Sequence, residues 1–229
     1  MGKPIGIPGT VTKPVGITQL WKGDAVETRS DAGGLTPAAR RVLEAAAELF
    51  YNEGINAVGV DSIAKRAGVT KKTLYDRFGS KDELITRYLR ERDERWRRWL
   101  TAEVERTAGA GTPADRILAT FDAQGDWARR ESPRGCSFVN AAAELPDPGH
   151  PARAVIRNQK RWLRDYLLEQ CRNTGVAEPD ELADELVLLH EGANVLTGLG
   201  ITPDPTATAR RMAAELLAGH SGNIYRKPG

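Results

Sequence analysis

Beyond residue 36 apolar residues recur every three to four positions, and the spacing predicts helices parted by glycine- and proline-marked breaks. Thr36-Pro37 is an N-cap followed by proline at the first helical position. It opens a helix to about Glu53, with Leu43, Ala46, Ala47 and Phe50 on one face and Gly54 as its stop. Two short helices follow, about Val60–Ala67 and Lys71–Phe78. Ser80-Lys81-Asp82-Glu83 has the form of a capping box. The long helix it opens runs through Leu84, Ile85, Tyr88, Leu89, Trp96, Trp99 and Leu100 to about 108–111. Thr112-Pro113-Ala114-Asp115 starts the next, with Ile117, Leu118, Phe121 and Trp127 as apolar members, and Ser132-Pro133-Arg134-Gly135 breaks it. Cys136–Leu145 is a short helix bounded by Pro146, Pro148 and Pro151. A long helix then carries Val155, Ile156, Gln159, Trp162, Leu163, Tyr166, Leu167 and Cys171 to about Asn173. Pro179 opens a helix with Leu182, Leu186, Leu189, Ala193 and Leu196 on one stripe, and Asp204-Pro205 opens the last, with Ala209, Met212, Ala213, Leu216 and Leu217. Strand alternation and internal repeats are absent, so the expected fold is all-α.

The stretch from 58 to 84 organises the rest. Its first short helix has Ile63, Ala64 and Ala67 on one side, and Gly68 supplies the positive φ of a tight turn. Val69 plugs the gap between the two helices, and Thr70 is a good N-cap for the second. Leu74 and Phe78 face inward at i, i+4. That leaves Lys71, Lys72, Thr73, Tyr75 and Arg77 outward, the layout of a helix-turn-helix. Six Lys/Arg against two Asp lie between residues 60 and 81, a balance that suits a polyanion, since cations that neutralise phosphates release counterions. The net charge of +2 hides an asymmetry: residues 36–99 carry 14 basic and 10 acidic side chains, residues 100–229 carry 15 and 18. The surplus sits where a DNA reader needs it.

About fifty residues, 37–85, resemble the DNA-binding domain of the TetR/AcrR family of transcriptional regulators. The likeness rests on the helix ending in LFYNEG, the IAKRAGVTKKTLYDRFGSKDEL core and the long helix after it. It implies a recognition helix at Lys71–Phe78, base or phosphate contacts from Thr70, Lys71, Lys72, Thr73 and Tyr75, and a phosphate contact from Lys81. Three positions depart from the family pattern. Val58 stands where a hydroxyl residue is common, Lys72 where glycine is common, and Asp76 where a neutral or basic residue is common. Asp76 is expected to face away from phosphate or to pair with Arg77.

Beyond the reader the GCSFVNAAAELPDPGHPAR segment and the LLHEGANVLTG helix resemble the ligand-binding half of many such regulators. The resemblance implies a homodimer built on the last two long helices, whose Gly192, Ala193, Gly198, Ala213 and Ala214 permit close approach. The same small residues also suit packing within one chain. The expected domains are a disordered N-terminal extension over 1–35, a helix-turn-helix domain over 36–80, a helical effector-binding and dimerisation domain over 81–220 and a flexible tail over 221–229. Four-helix cores build ligand sites from inward side chains. Candidate effector contacts are Trp127, Phe138, Asn140, Trp162, Tyr166, His190 and Asn194, with His190 and Asn194 at i, i+4. Taken singly, each of these suits ordinary core packing, or for His190 and Asn194 a place at the dimer interface, better than ligand contact. Arg90, Arg92, Arg95, Arg97 and Arg98, interleaved with Glu91, Asp93 and Glu94, read as an ion-pair-laced surface.

Three histidines and two cysteines without ligand spacing argue against a metal site, no cofactor is expected, and Cys136 and Cys171 read as buried thiols. No Ser-His-Asp or Cys-His arrangement is legible, and Gly198-Leu199-Gly200 lacks the strand-turn-helix context of a dinucleotide loop. The chain reads as no enzyme. It has no apolar run near membrane-span length and no signal-peptide core, which points to the cytoplasm. The expected partners are palindromic double-stranded DNA, a second copy of the chain and a small-molecule effector that releases it as a repressor. The rival reading is a constitutive dimeric DNA-binding protein without an effector.

Overall fold

The computed structural model describes residues 35–222, which form nine α-helices and no strand. They are α1 (Pro37–Glu53), α2 (Val60–Ala67), α3 (Lys71–Phe78), α4 (Lys81–Ala108), α5 (Pro113–Glu131), α6 (Ser137–Glu144), α7 (Pro151–Thr174), α8 (Pro179–Leu199) and α9 (Pro205–Gly222). The expectations for residues 1–34 and 223–229 lie outside the described residues.

Proline opens α1, α5, α7, α8 and α9. At the first helical position its missing N–H costs nothing and its fixed φ is already helical. The preceding side chain supplies the cap in several cases: Thr36 Oγ1 accepts from Ala39 N–H, and Asp204 Oδ1 accepts from Ala207 N–H at 2.9 Å. Thr112 and Asp115 form a reciprocal capping box. The box expected at Ser80 is only half formed. Ser80 Oγ accepts from Glu83 N–H at 3.0 Å, but the Ser80 N–H is donated to the Phe78 carbonyl, which removes the donor that Glu83 would have met.

The reader packs α2 and α3 against α1 and the first turns of α4 around Val42, Leu43, Phe50, Ile63, Leu74 and Leu84. Leu74 is fully buried, a contribution of about 1.5–3 kcal/mol against an exposed leucine, while Phe78 is half-buried. Gly68 sits at φ +63° and closes α2: its N–H reaches Lys65 O and the Val69 N–H reaches Ala64 O. Arg41 Nε donates to Ala67 O at 3.2 Å and ties that turn to α1.

The second part packs α4, α5, α7, α8 and α9 around Leu100, Phe121, Leu167, Leu182, Leu186 and Ala213. The α8 stripe is turned relative to the sequence expectation. Leu182, Ala183, Leu186, His190 and Ala193 are buried, while Leu189 and Leu196 are half-exposed. Gly198 is also not simply a spacer for a second copy. A Cβ there would lie 3.0 Å from the Arg134 and Gly135 backbone, so the glycine lets the α5–α6 loop sit against α8.

Candidate functional site

Two regions concentrate chemistry. The first is the N-terminal turn of α3. Thr70 caps it, accepting from Thr73 N–H at 3.1 Å, with the two threonine hydroxyls 2.9 Å apart. Lys71 and Lys72 are exposed at the first two helical positions, and Tyr75, one turn on, is 40% exposed. The positive end of the helix dipole and two cations therefore point the same way, an arrangement that attracts phosphate. Lys81 is half-exposed at the first position of α4. The structure thus puts Thr70, Lys71, Lys72, Tyr75 and Lys81 at the surface, with Thr73 half-buried between them.

Local acids modulate this face. Lys71 Nζ lies 3.1 Å from Asp61, and Lys72 Nζ 2.7 Å from Asp76. The partner of Asp76 is therefore Lys72, not Arg77, because i, i+4 spacing brings the two side chains together on one helix face. Val58 is buried, and the α2 cap is Gly59, which has no side-chain hydrogen bond. The cap of the first reader helix thus offers only backbone groups, and the helix's first turn carries the exposed Asp61 and Ser62.

The second region is a small, partly open cavity between α4, α5, α6, α7 and α8. Of the residues singled out from the sequence, Trp127, Phe138, His190 and Asn194 line it. Asn140, Trp162 and Tyr166 do not. Asn140 is exposed and donates to Arg134 O at 3.2 Å. Trp162 and Tyr166 stack on each other at 5.5 Å and pack on the outside of the core. Helical period places all three near the middle of the bundle, but only the rotation of α6 and α7 decides which side they face.

His190 is committed to the core. Its Nε2 lies 2.8 Å from Thr120 Oγ1, its Nδ1 pairs with Gln124 Oε1, and its ring stacks on Phe121 at 3.9 Å. Burial, with the nearby Lys160 charge, depresses its pKa to about 3, so the ring is neutral near neutrality.

Several lining residues had no sequence signal beyond helical period. Arg92 points inward, not to a charged surface. It donates to Glu131 O at 2.9 Å and Ser132 Oγ at 2.6 Å, and its guanidinium lies 4.9 Å from the Tyr51 ring centroid. Arg95 pairs with Glu131 and lies over Trp127. Arg97 pairs with Asp93 on its own helix, as the interleaved charges predict. Lys160 Nζ holds both carboxylate oxygens of Glu191 at 2.7 and 2.8 Å and lies 3.4 Å from Cys136 Sγ. Cys171 is buried in the core, which pushes its thiol up to about 11. Among the described residues no cluster of His, Cys, Asp or Glu is placed to hold a metal ion, and no helix is long and apolar enough to cross a membrane.

One segment joins the two regions. Residues 132–138 supply cavity wall at Ser132, Cys136, Ser137 and Phe138. The same segment grips the end of α1. Tyr51 donates its hydroxyl to Gly135 O at 3.3 Å and accepts the Arg134 N–H at 2.8 Å, and Arg134 Nη1 donates to Tyr51 O at 2.6 Å and to Asn52 O. At the far end of α6 Glu144 Oε2 accepts from Asn56 N–H at 2.8 Å, and Glu144 O accepts from Asn56 Nδ2 at 2.9 Å. The α4 helix is thus not the only connection between cavity and reader.

Known proteins give this arrangement its context. Residues 42–88 match the family model of bacterial regulatory proteins of the tetR family, and residues 113–213 match the tetracyclin repressor-like C-terminal domain. The HTH-type transcriptional regulator YjdC of Escherichia coli is 26% identical over 179 residues, spanning 77% of this chain and 91% of that one. The HTH-type transcriptional repressor KstR2 of Mycobacterium tuberculosis is 25% identical over 201 residues, spanning 86% and 97%. The crystal structure of SCO4454, a TetR-family transcriptional regulator from Streptomyces coelicolor, superposes with a TM-score of 0.73 at 32% identity, over 81% of this chain and 96% of that one. With both halves matched in order, and with a helix-turn-helix whose cationic turn faces outward, the chain belongs to the TetR family of DNA-binding transcriptional regulators, not to a class of enzymes.

Proposed function

We propose that the protein is a dimeric repressor that binds a palindromic operator and leaves it when a small molecule fills the cavity. The observation that carries this reading is the shared segment 132–138, which is at once cavity wall and the grip on α1. A ligand that prefers a displaced wall also prefers a displaced Arg134, and hence a reader held differently. It then lowers operator affinity by that preference and by nothing else. The repressor sign is supported by KstR2, which is a repressor.

In this reading Thr70, Lys71, Lys72, Thr73, Tyr75 and Lys81 meet the duplex, the α3 helix lying in the major groove. Trp127, Phe138 and Asn194 meet the effector. His190 fixes the wall behind them, because both its ring nitrogens are engaged within the protein. Selection of bound duplexes from a random pool tests the operator. The expected product is an inverted repeat with half-sites about one helical turn or somewhat more apart. A product without two-fold symmetry removes the dimeric reading, and a pool with no enriched sequence removes the operator itself.

An exposed apolar stripe supports the dimer. Leu188 is 72% exposed and Leu199 64%, and with Gly192 and Val195 they occupy one face of α8 at i, i+4, i+7 and i+11. Met212 adds to it from α9. A second copy with the same face buries both stripes symmetrically. Leu188→Glu with Leu199→Glu is expected to give a folded monomer in sedimentation at micromolar concentration, since neither side chain is buried within the chain. A dimer that survives both charges places the interface elsewhere.

A further inference from the structure

Asp76 is the one acid on α3, and the fold gives it no role. The reader core takes Leu74, which is fully buried, and part of Phe78. At about 100° per residue, Asp76 lies about 160° around the helix from each of them. It therefore occupies the middle of the face turned away from the core, with Lys72 and Thr73 on either side. It sits in the last turn of α3, where the negative end of the helix dipole opposes an acid. Its exposed pair with Lys72, 2.7 Å apart, runs cation first, the weaker of the two i, i+4 orders. Helix propensity also favours alanine, lysine or glutamate over aspartate at such a position. Core, dipole, pairing order and propensity all leave this carboxylate unexplained.

In the operator complex read above, the same face enters the major groove. A carboxylate only accepts hydrogen bonds, so phosphates and the groove's N7, O6 and O4 atoms repel it. The groove offers it two kinds of donor, the adenine N6 and the cytosine N4 amino groups. Adenine N6 lies between two acceptors, its own N7 and the O4 of the paired thymine, and both repel the carboxylate. Cytosine N4 stands at the end of its row, beside a C5–H that repels nothing. Lys72 is exposed on a long, flexible stem, so it can leave Asp76 for a phosphate at the groove's edge. The carboxylate then depends on the base alone for a partner.

We propose that Asp76 is the specificity-determining residue of α3, accepting a hydrogen bond from the N4 amino group of a cytosine at one position of each half-site. Lys72 passes from Asp76 to a neighbouring phosphate as the duplex docks. Another base at that position leaves the carboxylate unpaired among acceptors and phosphates of its own sign. Asp76 therefore acts as much by rejecting other sequences as by holding its own. The proposal rests on the operator reading above and names one base pair within it.

The test selects bound duplexes from a random pool with the full chain and with Asp76→Ala, at one salt concentration, since affinity for DNA shifts steeply with salt. The wild-type chain is expected to enrich a G·C pair in fixed orientation at one position of each half-site. Replacing that pair in both half-sites is expected to weaken its binding at least about tenfold, as one mismatched pair ordinarily costs about fivefold or more. Asp76→Ala is expected to accept all four bases there within about threefold, to keep its preferences elsewhere and to bind random duplexes more tightly. Its melting temperature is expected at or above that of the wild type, because alanine suits an exposed helical position. Asp61, the acid beside Lys71 on α2, controls for charge alone. Asp61→Ala is expected to tighten binding to every duplex and to relax no position. A preference that survives Asp76→Ala, or that Asp61→Ala relaxes equally, overturns the proposal and leaves the operator standing. So does an Asp76→Ala variant that melts well below wild type, which would give the acid a structural role. A wild-type pool with no enriched sequence removes the operator reading, and this proposal with it.

Discussion

Replacing Lys71, Lys72 and Lys81 together by alanine is expected to lower operator affinity at least about a hundredfold near ~0.15 M salt while the protein stays folded. The fold survives because the lysines hold no core. Lys71–Asp61 and Lys72–Asp76 are exposed ion pairs, with side-chain exposures of 50 and 78% and of 83 and 54%, and exposed pairs contribute little to stability. The loss falls on the duplex instead. Each phosphate neutralised by a lysine contributes about 0.9 to the slope of log affinity against log salt. In the proposed dimer, loss of three lysines from each of two subunits is expected to flatten that slope by about five units. An unchanged slope in the triple variant would show that these lysines meet no phosphate. The departures from the family pattern sharpen the expectation. The α2 helix begins at a glycine cap without a hydroxyl, whereas α3 carries a cation at Lys72, so the proposed contacts are expected to lean more on electrostatics at α3.

The second large effect is on stability. Between pH 7 and pH 5 the free energy of unfolding is expected to fall by about 2 kcal/mol on account of His190 alone. Its native pKa is about 3 against an ordinary 6.5, so between those values the unfolded chain binds a proton that the native state refuses. The contribution is fully present above 6.5 and is lost as pH falls toward 3. The cause is geometric: the ring is sealed among Phe121, Thr120 and Gln124, where an imidazolium would sit without water and near Lys160. Asp115, Asp184 and Asp204, held below the usual carboxylate range by their hydrogen bonds, act at lower pH and do not mask it. Burial raises the Glu91 carboxyl, and this acts with the opposite sign, adding stability as pH falls. His190→Gln removes the titration, so thermal or denaturant unfolding of the variant should lose most of this dependence between pH 7 and 5. A variant with the wild-type slope would assign the effect to another group.

Much of the fold was legible in the sequence because its signals are local. Proline after a capping residue, glycine after the last apolar position and a 3.6-residue period each act within a few residues. They place both ends of α1, α2 and α3, the close of α7 and the opening of α8 within a residue or so of where they lie. The half-formed cap at Ser80 shows where such signals stop, because a competing turn hydrogen bond to Phe78 takes the donor. At the candidate sites the split follows the same line. The α3 face follows from an eight-residue helix with one buried stripe, so the residues left outside are known once Leu74 is inside. The cavity draws wall from five helices, and its lining residues run from Arg92 to Asn194 in the chain.

The chain order of residues therefore determined the helices, the turn chemistry of the reader and the cations it presents, since propensity, capping and charge depend on near neighbours. Only the tertiary structure decided how each helix is rotated about its axis. That rotation turned His190 into the core, left Trp162 and Tyr166 outside the cavity and brought Arg92 inward. It also laid Arg134 and Gly135 between Gly198 and the end of α1. Rotation is set by the packing of all neighbouring helices at once, and a periodic pattern with apolar residues on more than one face is compatible with several rotations until those neighbours are in place.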